Sequence, residues 1–84
     1  MQFSKKSLGS HEHRKLIAFL AQARKDAGMT QEYVAKKMRW PQAHISKIEN
    51  GDRRIDVVEF VRLACVIGFD AGAIVRELQK NIKK

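Results

Sequence analysis

Cysteine occurs once among the 84 residues, and so does proline. The lone Cys65 cannot close an internal disulfide, and there is no Cys-x-x-Cys pair or Cys/His quartet to hold a structural zinc. The fold must therefore stand on its core alone, as in a protein of the reducing cytosol. Long apolar runs are missing too. None exceeds six residues, whereas a bilayer span needs about 20 and a signal-peptide core about 7 to 15. A soluble, cytoplasmic chain is the expectation. Strict alternation of apolar and polar residues is absent, which argues against a sheet. One proline and five glycines are too few for a collagen-like or low-complexity chain.

Acidic residues are scarce as well: 9 against 17 Lys and Arg, a formal net charge of +8 and a pI near 10.1. So strong a bias in so short a chain points to a polyanionic partner. Since 44% of the residues are hydrophobic, the charge sits on a packed domain and not on a disordered tail. Residues 1–54 hold 12 basic and 5 acidic side chains, against 5 and 4 in residues 55–84. The basic surface belongs to the first two-thirds. At this length one domain, burying about 60 to 65% of its unfolded surface, is all the chain can build.

Residues 1–9 carry Lys5 and Lys6 without an apolar period and read as a flexible N-terminal arm. Residues 10–84 form the expected single domain. From His13 to Ala27, the residues Leu16, Ile17, Leu20, Ala23 and Ala27 recur at helical spacing. Thr30 can cap a second helix with Val34, Ala35 and Met38 on its inner face. Pro41 opens a third, held by Ile45 and Ile48. Asp56 and Glu59 have capping-box spacing before a fourth, whose stripe is Phe60, Val61, Ala64 and Ile67. A fifth, over about 70–82, carries Ile74, Val75, Leu78 and Ile82. Gly28, Gly51 and Gly68 fall just past three helix ends. The fold class is all-α, a compact five-helix bundle.

The segment Gln31 to Gly51 is two short helices joined by a turn, a helix-turn-helix. Ile45 and Ile48 anchor the second helix, which frees its opposite face, bearing Gln42, Ala43, Ser46, Lys47 and Asn50. Gln and Asn can bond adenine bidentately, Lys reaches guanine acceptors, Ser serves either, and Ala meets a thymine methyl. Major-groove reading of double-stranded DNA follows.

Thr30-Gln31, Val34-Ala35 and Ile45-Ser46-Lys47-Ile48-Glu49-Asn50-Gly51, extended by Arg53-Arg54, Asp56 and Phe60 to Gly68, resemble the Cro/C1-type, or Xre, helix-turn-helix regulators of bacteria and phages. The resemblance spans roughly Leu16 to Leu78 and implies a lambda-repressor-like DNA-binding domain. It implies base contacts from Gln42, Ala43, Ser46 and Lys47, and backbone contacts from Gln31, Asn50, Arg53 and Arg54, with Gln31 also buttressing Gln42. Lys36, Lys37 and Arg39, close to the turn, are further backbone candidates. Glu49 is expected to partner the Arg53-Arg54 loop. Homodimerisation through the last helix, at Ile74, Val75, Leu78 and Ile82, would set two recognition helices roughly 34 Å apart on a palindromic operator. Two positions depart from the family. Arg39 stands where a left-handed glycine is usual, and Pro41 replaces the usual Ser or Thr cap, with Trp40 placed to shield the turn.

Other residues read more plainly. His11 and His13 are two apart on a helix and face different ways, so no metal site is expected. Ser46, His44 and Glu49 share one helix without a triad's geometry, so no catalysis is expected. No cofactor or small-molecule substrate is implied. His44 reads as a polar surface residue, and Cys65 as a buried small hydrophobe. The function read from the sequence is a dimeric, sequence-specific DNA-binding regulator, most simply a repressor acting by occupancy. The alternative is a protein-interaction adaptor, or an antitoxin-type protein partnered by a toxin. Non-specific binding of nucleic acid by charge is a third, weaker reading.

Overall fold

Local chemistry sets where the helices start. The computed structural model describes residues 10–82, so the expected arm 1–9 and residues 83 and 84 lie outside the described residues. Helices α1 (His11–Asp26), α2 (Gln31–Met38), α3 (Gln42–Glu49), α4 (Val57–Ile67) and α5 (Ala71–Asn81) follow in order. No strand occurs among the described residues. Ser10, Thr30, Asp56 and Asp70 each accept a first-turn backbone N–H at the head of α1, α2, α4 and α5. Ser10 explains why α1 begins two residues before the expected His13. At α4 the box is reciprocal: Asp56 accepts from the Glu59 N–H at 2.7 Å, and Glu59 accepts from the Asp56 N–H at 3.1 Å. Only α3 lacks a side-chain cap, because Pro41 precedes it.

Helix ends share a second device. Past α1, the N–H groups of Gly28 and Met29 return to Lys25 and Arg24. Past α3, those of Gly51 and Asp52 return to Ile48 and Lys47. Past α2, those of Arg39 and Trp40 return to Lys36 and Ala35. All three are Schellman closures around a left-handed residue. Glycine fills that place twice, but Arg39 fills it with φ at 61° and ψ at 41°.

The core lies where α2, α3 and α4 converge on α1. It consists of Ile17 and Leu20 of α1, Val34, Ala35 and Met38 of α2, Ile45 and Ile48 of α3, and Phe60, Leu63 and Ala64 of α4. Phe69, in the α4–α5 link, meets Phe19 edge-on at 4.9 Å and Phe60 at 5.6 Å, tying α5 back to α1 and α4. Only Ala71 and Ile74 of α5 pack against this core, and no residue of α5 is buried.

Three expectations need correcting. On α4, Leu63 takes the inward place assigned to Val61, which is 45% exposed. The buried arc is centred on residues 60, 63, 64 and 67, and Val61 lies a full 100° step from Phe60. Cys65 is exposed for the same reason. With Val57 and Val58 it joins Val61 in an apolar arc on the outer side of α4. On α1, the inward position after Ile17 and Leu20 belongs to Arg24, which is 8% exposed, while Ala27 lies outside.

A buried guanidinium needs a partner. Arg24 Nε and Nη2 donate to Glu49 Oε2 and Oε1 at 2.7 and 2.9 Å, and Nη1 donates to the Met29 carbonyl at 2.8 Å. Gln31 Nε2 donates to Glu49 Oε1 at 3.0 Å. One carboxylate thus joins α1, α2 and α3. Burial alone would push the Glu49 carboxyl up, but hydrogen bonds from Arg24 and Gln31 and the charges of Arg24 and Lys25 outweigh it and hold it below the usual glutamate value. Glu49→Ala is expected to cost about 3 to 5 kcal/mol, because it strands the Arg24 charge in the core. Urea denaturation measures this, and a loss under about 1 kcal/mol would show the pair to be worth no more than an exposed one.

Candidate nucleic-acid interface

Eight residues of α3 are too few to form a helix alone in water. The helix stands because Ile45 and Ile48, 3% and 2% exposed, insert into the core, and because its last residue, Glu49, is held by Arg24. Burial of one face leaves the other outward. Gln42, Ala43 and Lys47 are exposed, and Ser46 is half-buried beside them. The four expected base-reading residues therefore lie on the outer side of one helix, and Asn50 follows, exposed, at its end.

The turn before α3 is built from the two residues that depart from the family pattern. Trp40 packs against the core and stacks on His44 of α3, with ring centroids 4.0 Å apart and planes 16° from parallel. This stack holds the first turn of α3, where Pro41 provides no side-chain cap. On the other side of the turn, Arg62 Nη2 of α4 donates to the Met38 carbonyl at 3.1 Å, satisfying one orphan acceptor at the end of α2.

The basic residues expected at the DNA backbone all reach solvent. Lys36, Lys37, Arg39, Arg53 and Arg54 are all exposed. Lys37 Nζ sits 5.5 Å from the centre of the Tyr33 ring. Arg53 is the most constrained: its Nε donates to His44 Nε2 at 2.9 Å, and its Nη2 lies 3.5 Å from Glu59 Oε2. Burial and the nearby charges of Arg53 and Lys47, opposed by Glu59, hold the His44 imidazole below the ordinary histidine value. Burial and the charge of Arg54 do the same at His13.

Two expected partnerships form differently. Gln31, expected beside Gln42, instead donates to Glu49. Glu49, expected beside the Arg53-Arg54 loop, faces Arg24. The loop's acidic partner is Glu59. Of the residues assigned to the interface between copies, Val75 and Ile82 are 50% and 55% exposed. Leu78 is half-buried, and Ile74 packs inward. Sequence reading missed the roles of Arg24 and His44, and the link from Glu59 to Arg53. Arg24 left a signal, since a charged residue at the inward spacing after Ile17 and Leu20 demands a buried partner. His44 and Glu59 left none.

Two eight-residue helices joined by a tight turn, the second with an outward polar face, together with exposed basic side chains, have the form of a helix-turn-helix DNA-binding protein. The pattern of the helix-turn-helix family matches residues 20–74. An XRE-family like protein from Pseudomonas syringae pv. tomato str. DC3000 superposes with a TM-score of 0.82 at 34% identity, over 95% of this chain and 98% of that one. No curated protein matches the sequence. The chain belongs to the Cro/C1-type, or Xre, family of helix-turn-helix proteins, whose members are DNA-binding regulators.

No described helix is long and apolar enough to cross a membrane, and the described residues hold no cluster of three or more potential metal ligands. At the departed turn position, Arg39→Gly is expected to stabilise the fold by roughly 0.5 kcal/mol, as relief of left-handed strain exceeds glycine's entropic cost. Thermal denaturation tests this, and a lower midpoint would show that the Arg39 side chain stabilises the turn it strains.

Proposed function

We propose that the protein is a sequence-specific regulator of transcription that represses by occupying its operator, working inside the cell on double-stranded DNA. One observation carries this reading: α3 buries Ile45 and Ile48 and leaves Gln42, Ala43 and Lys47 outward, in a chain whose first 54 residues hold 12 basic against 5 acidic side chains. Gln42, Ala43, Ser46 and Lys47 read base edges in the major groove. Lys36, Lys37, Arg39, Asn50, Arg53 and Arg54 grip phosphates and fix the register. Gln31, at the head of α2, supplies a further backbone contact with the amide atoms that Glu49 leaves free.

The active form is a homodimer on a palindromic site. A single eight-residue recognition helix covers few base pairs, and two copies double both contact and charge. The apolar surface left outside the core supports this: Val75 and Ile82 at the last helix, and Val57, Val58 and Val61 on α4. The α5 face is the proposed interface. Val75→Asp there is expected to shift sedimentation from dimer to monomer and weaken operator binding, while Val61→Asp leaves the mass of the dimer intact. The reverse result would move the interface to α4, and a monomer at every DNA-binding concentration would remove dimerisation.

Selection from random duplexes supplies the site and tests the whole reading. On the selected duplex Gln42→Ala should cost about 1 to 3 kcal/mol, with little change on unrelated DNA. Arg54→Ala should weaken binding on both alike and lower the salt slope by about 1. Equal loss from Gln42→Ala on both duplexes would assign Gln42 to the backbone, and failure to enrich any sequence would favour binding by charge alone.

A further inference from the structure

His44 sits in the first turn of the recognition helix, yet its ring is turned away from the role its position suggests. One face is covered by the Trp40 indole, at 4.0 Å between centroids. Nε2 is engaged by Arg53 Nε at 2.9 Å. An arginine N–H always donates, so Nε2 must present its lone pair, and the imidazole carries its proton on Nδ1 and is neutral. Arg53 in turn has Nε on His44 and Nη2 near Glu59, which leaves Nη1 without a partner among the described residues. Glu59 is itself fixed, since its other oxygen accepts the Asp56 N–H at the head of α4. The guanidinium is therefore clamped between α3 and α4 with one edge left for an anion.

We infer that His44 is a positioning residue: its neutral ring, braced by Trp40, holds Arg53 in place for the DNA backbone, and gain of a proton by that ring releases the clamp. The inference rests on the reading of Arg53 as a phosphate contact. Protonation replaces the acceptor lone pair at Nε2 with an N–H, so the bond from Arg53 Nε is lost and two positive charges face one another. The charged groups around the ring are Arg53 from the loop, Glu59 from α4 and Lys47 on its own helix. Glu59 Oε2 is 4.0 Å from His44 Nε2 and is available to the imidazolium, at the expense of its interaction with Arg53. Affinity for DNA then falls as pH drops below about 6.5, the ordinary histidine value.

Salt and pH titrations of binding to a selected duplex test this, with His44→Ala, Arg53→Ala, the double variant and His44→Gln. Arg53→Ala should lower the slope of log affinity against log salt by about 0.9. His44→Ala should reproduce part of that decrease, and the double variant should match Arg53→Ala alone, because the two residues act as one unit. In His44→Gln the amide oxygen can accept from Arg53 but does not titrate, so the slope should return and the wild type's extra loss of affinity as pH falls below about 6.5 should vanish. Additive losses in the double variant would overturn the inference. So would stronger binding by the wild type at low pH relative to His44→Gln, which would show the imidazolium pairing with phosphate itself. In the free protein at neutral pH, the Arg53 Nε–H resonance should be protected from solvent exchange in the wild type and lose that protection in His44→Ala. Indifference of that signal to His44→Ala would also overturn the coupling. A protein that binds no duplex fails the functional reading instead, and this resonance, measured without DNA, still decides whether His44 holds Arg53.

Discussion

The bidentate pair of Arg24 and Glu49 is the constraint on which the rest of the architecture depends. Each recognition element is too short to persist alone: α2 and α3 have eight residues apiece, below the length at which helices survive in water. Apolar packing gives them a place, but packing is tolerant of rotation. A carboxylate at the last residue of α3, bound by two nitrogens of α1 and one of α2, fixes the angle at which α3 leaves the core. It also fixes which side of α3 faces outward. The same guanidinium holds the Met29 carbonyl ahead of α2, so one buried charge sets the entry to the motif as well as its exit.

The turn between α2 and α3 solves a second problem with unusual residues. The backbone closes as it does past α1 and α3, with paired returning N–H groups around a left-handed residue, but Arg39 stands where those ends have glycine. Pro41 then removes the side-chain cap that the other four helices possess. Both losses are offset from outside the motif. Trp40 covers the turn and braces His44, and Arg62 from α4 satisfies the Met38 carbonyl. The result couples α3 to α4 through His44, Arg53 and Glu59, so the Arg53-Arg54 loop and α3 are one mechanical unit.

Much of this was legible in the chain. All five helices, the caps at Thr30 and Asp56 and the inward Ile45 and Ile48 follow from signals within four or five residues, whereas the left-handed turn at Arg39 was implied only by the family resemblance. The errors came where helical spacing alone had to choose a face. At α4 the stripe through Val61 and the stripe through Leu63 are equally apolar, and only the position of α1 and α2 selects the second. Cys65 went outside with the same rotation. At α1 the alanines made a consistent apolar stripe, and Arg24 was passed over because its partner is 25 residues away.

The sequence by itself determined the class of fold, the place of the motif and the chemistry on its outer face, because capping, turn closure and helical periodicity are local and each is written within one or two turns of chain. Only the tertiary structure decided who pairs with whom. Glu49 meets Arg24 and Gln31 and not the arginine loop, while Glu59 and His44 take that loop's Arg53. Such pairings depend on how helices cross, and crossing is set by the sum of side-chain volumes across the whole core, which no short window of sequence contains.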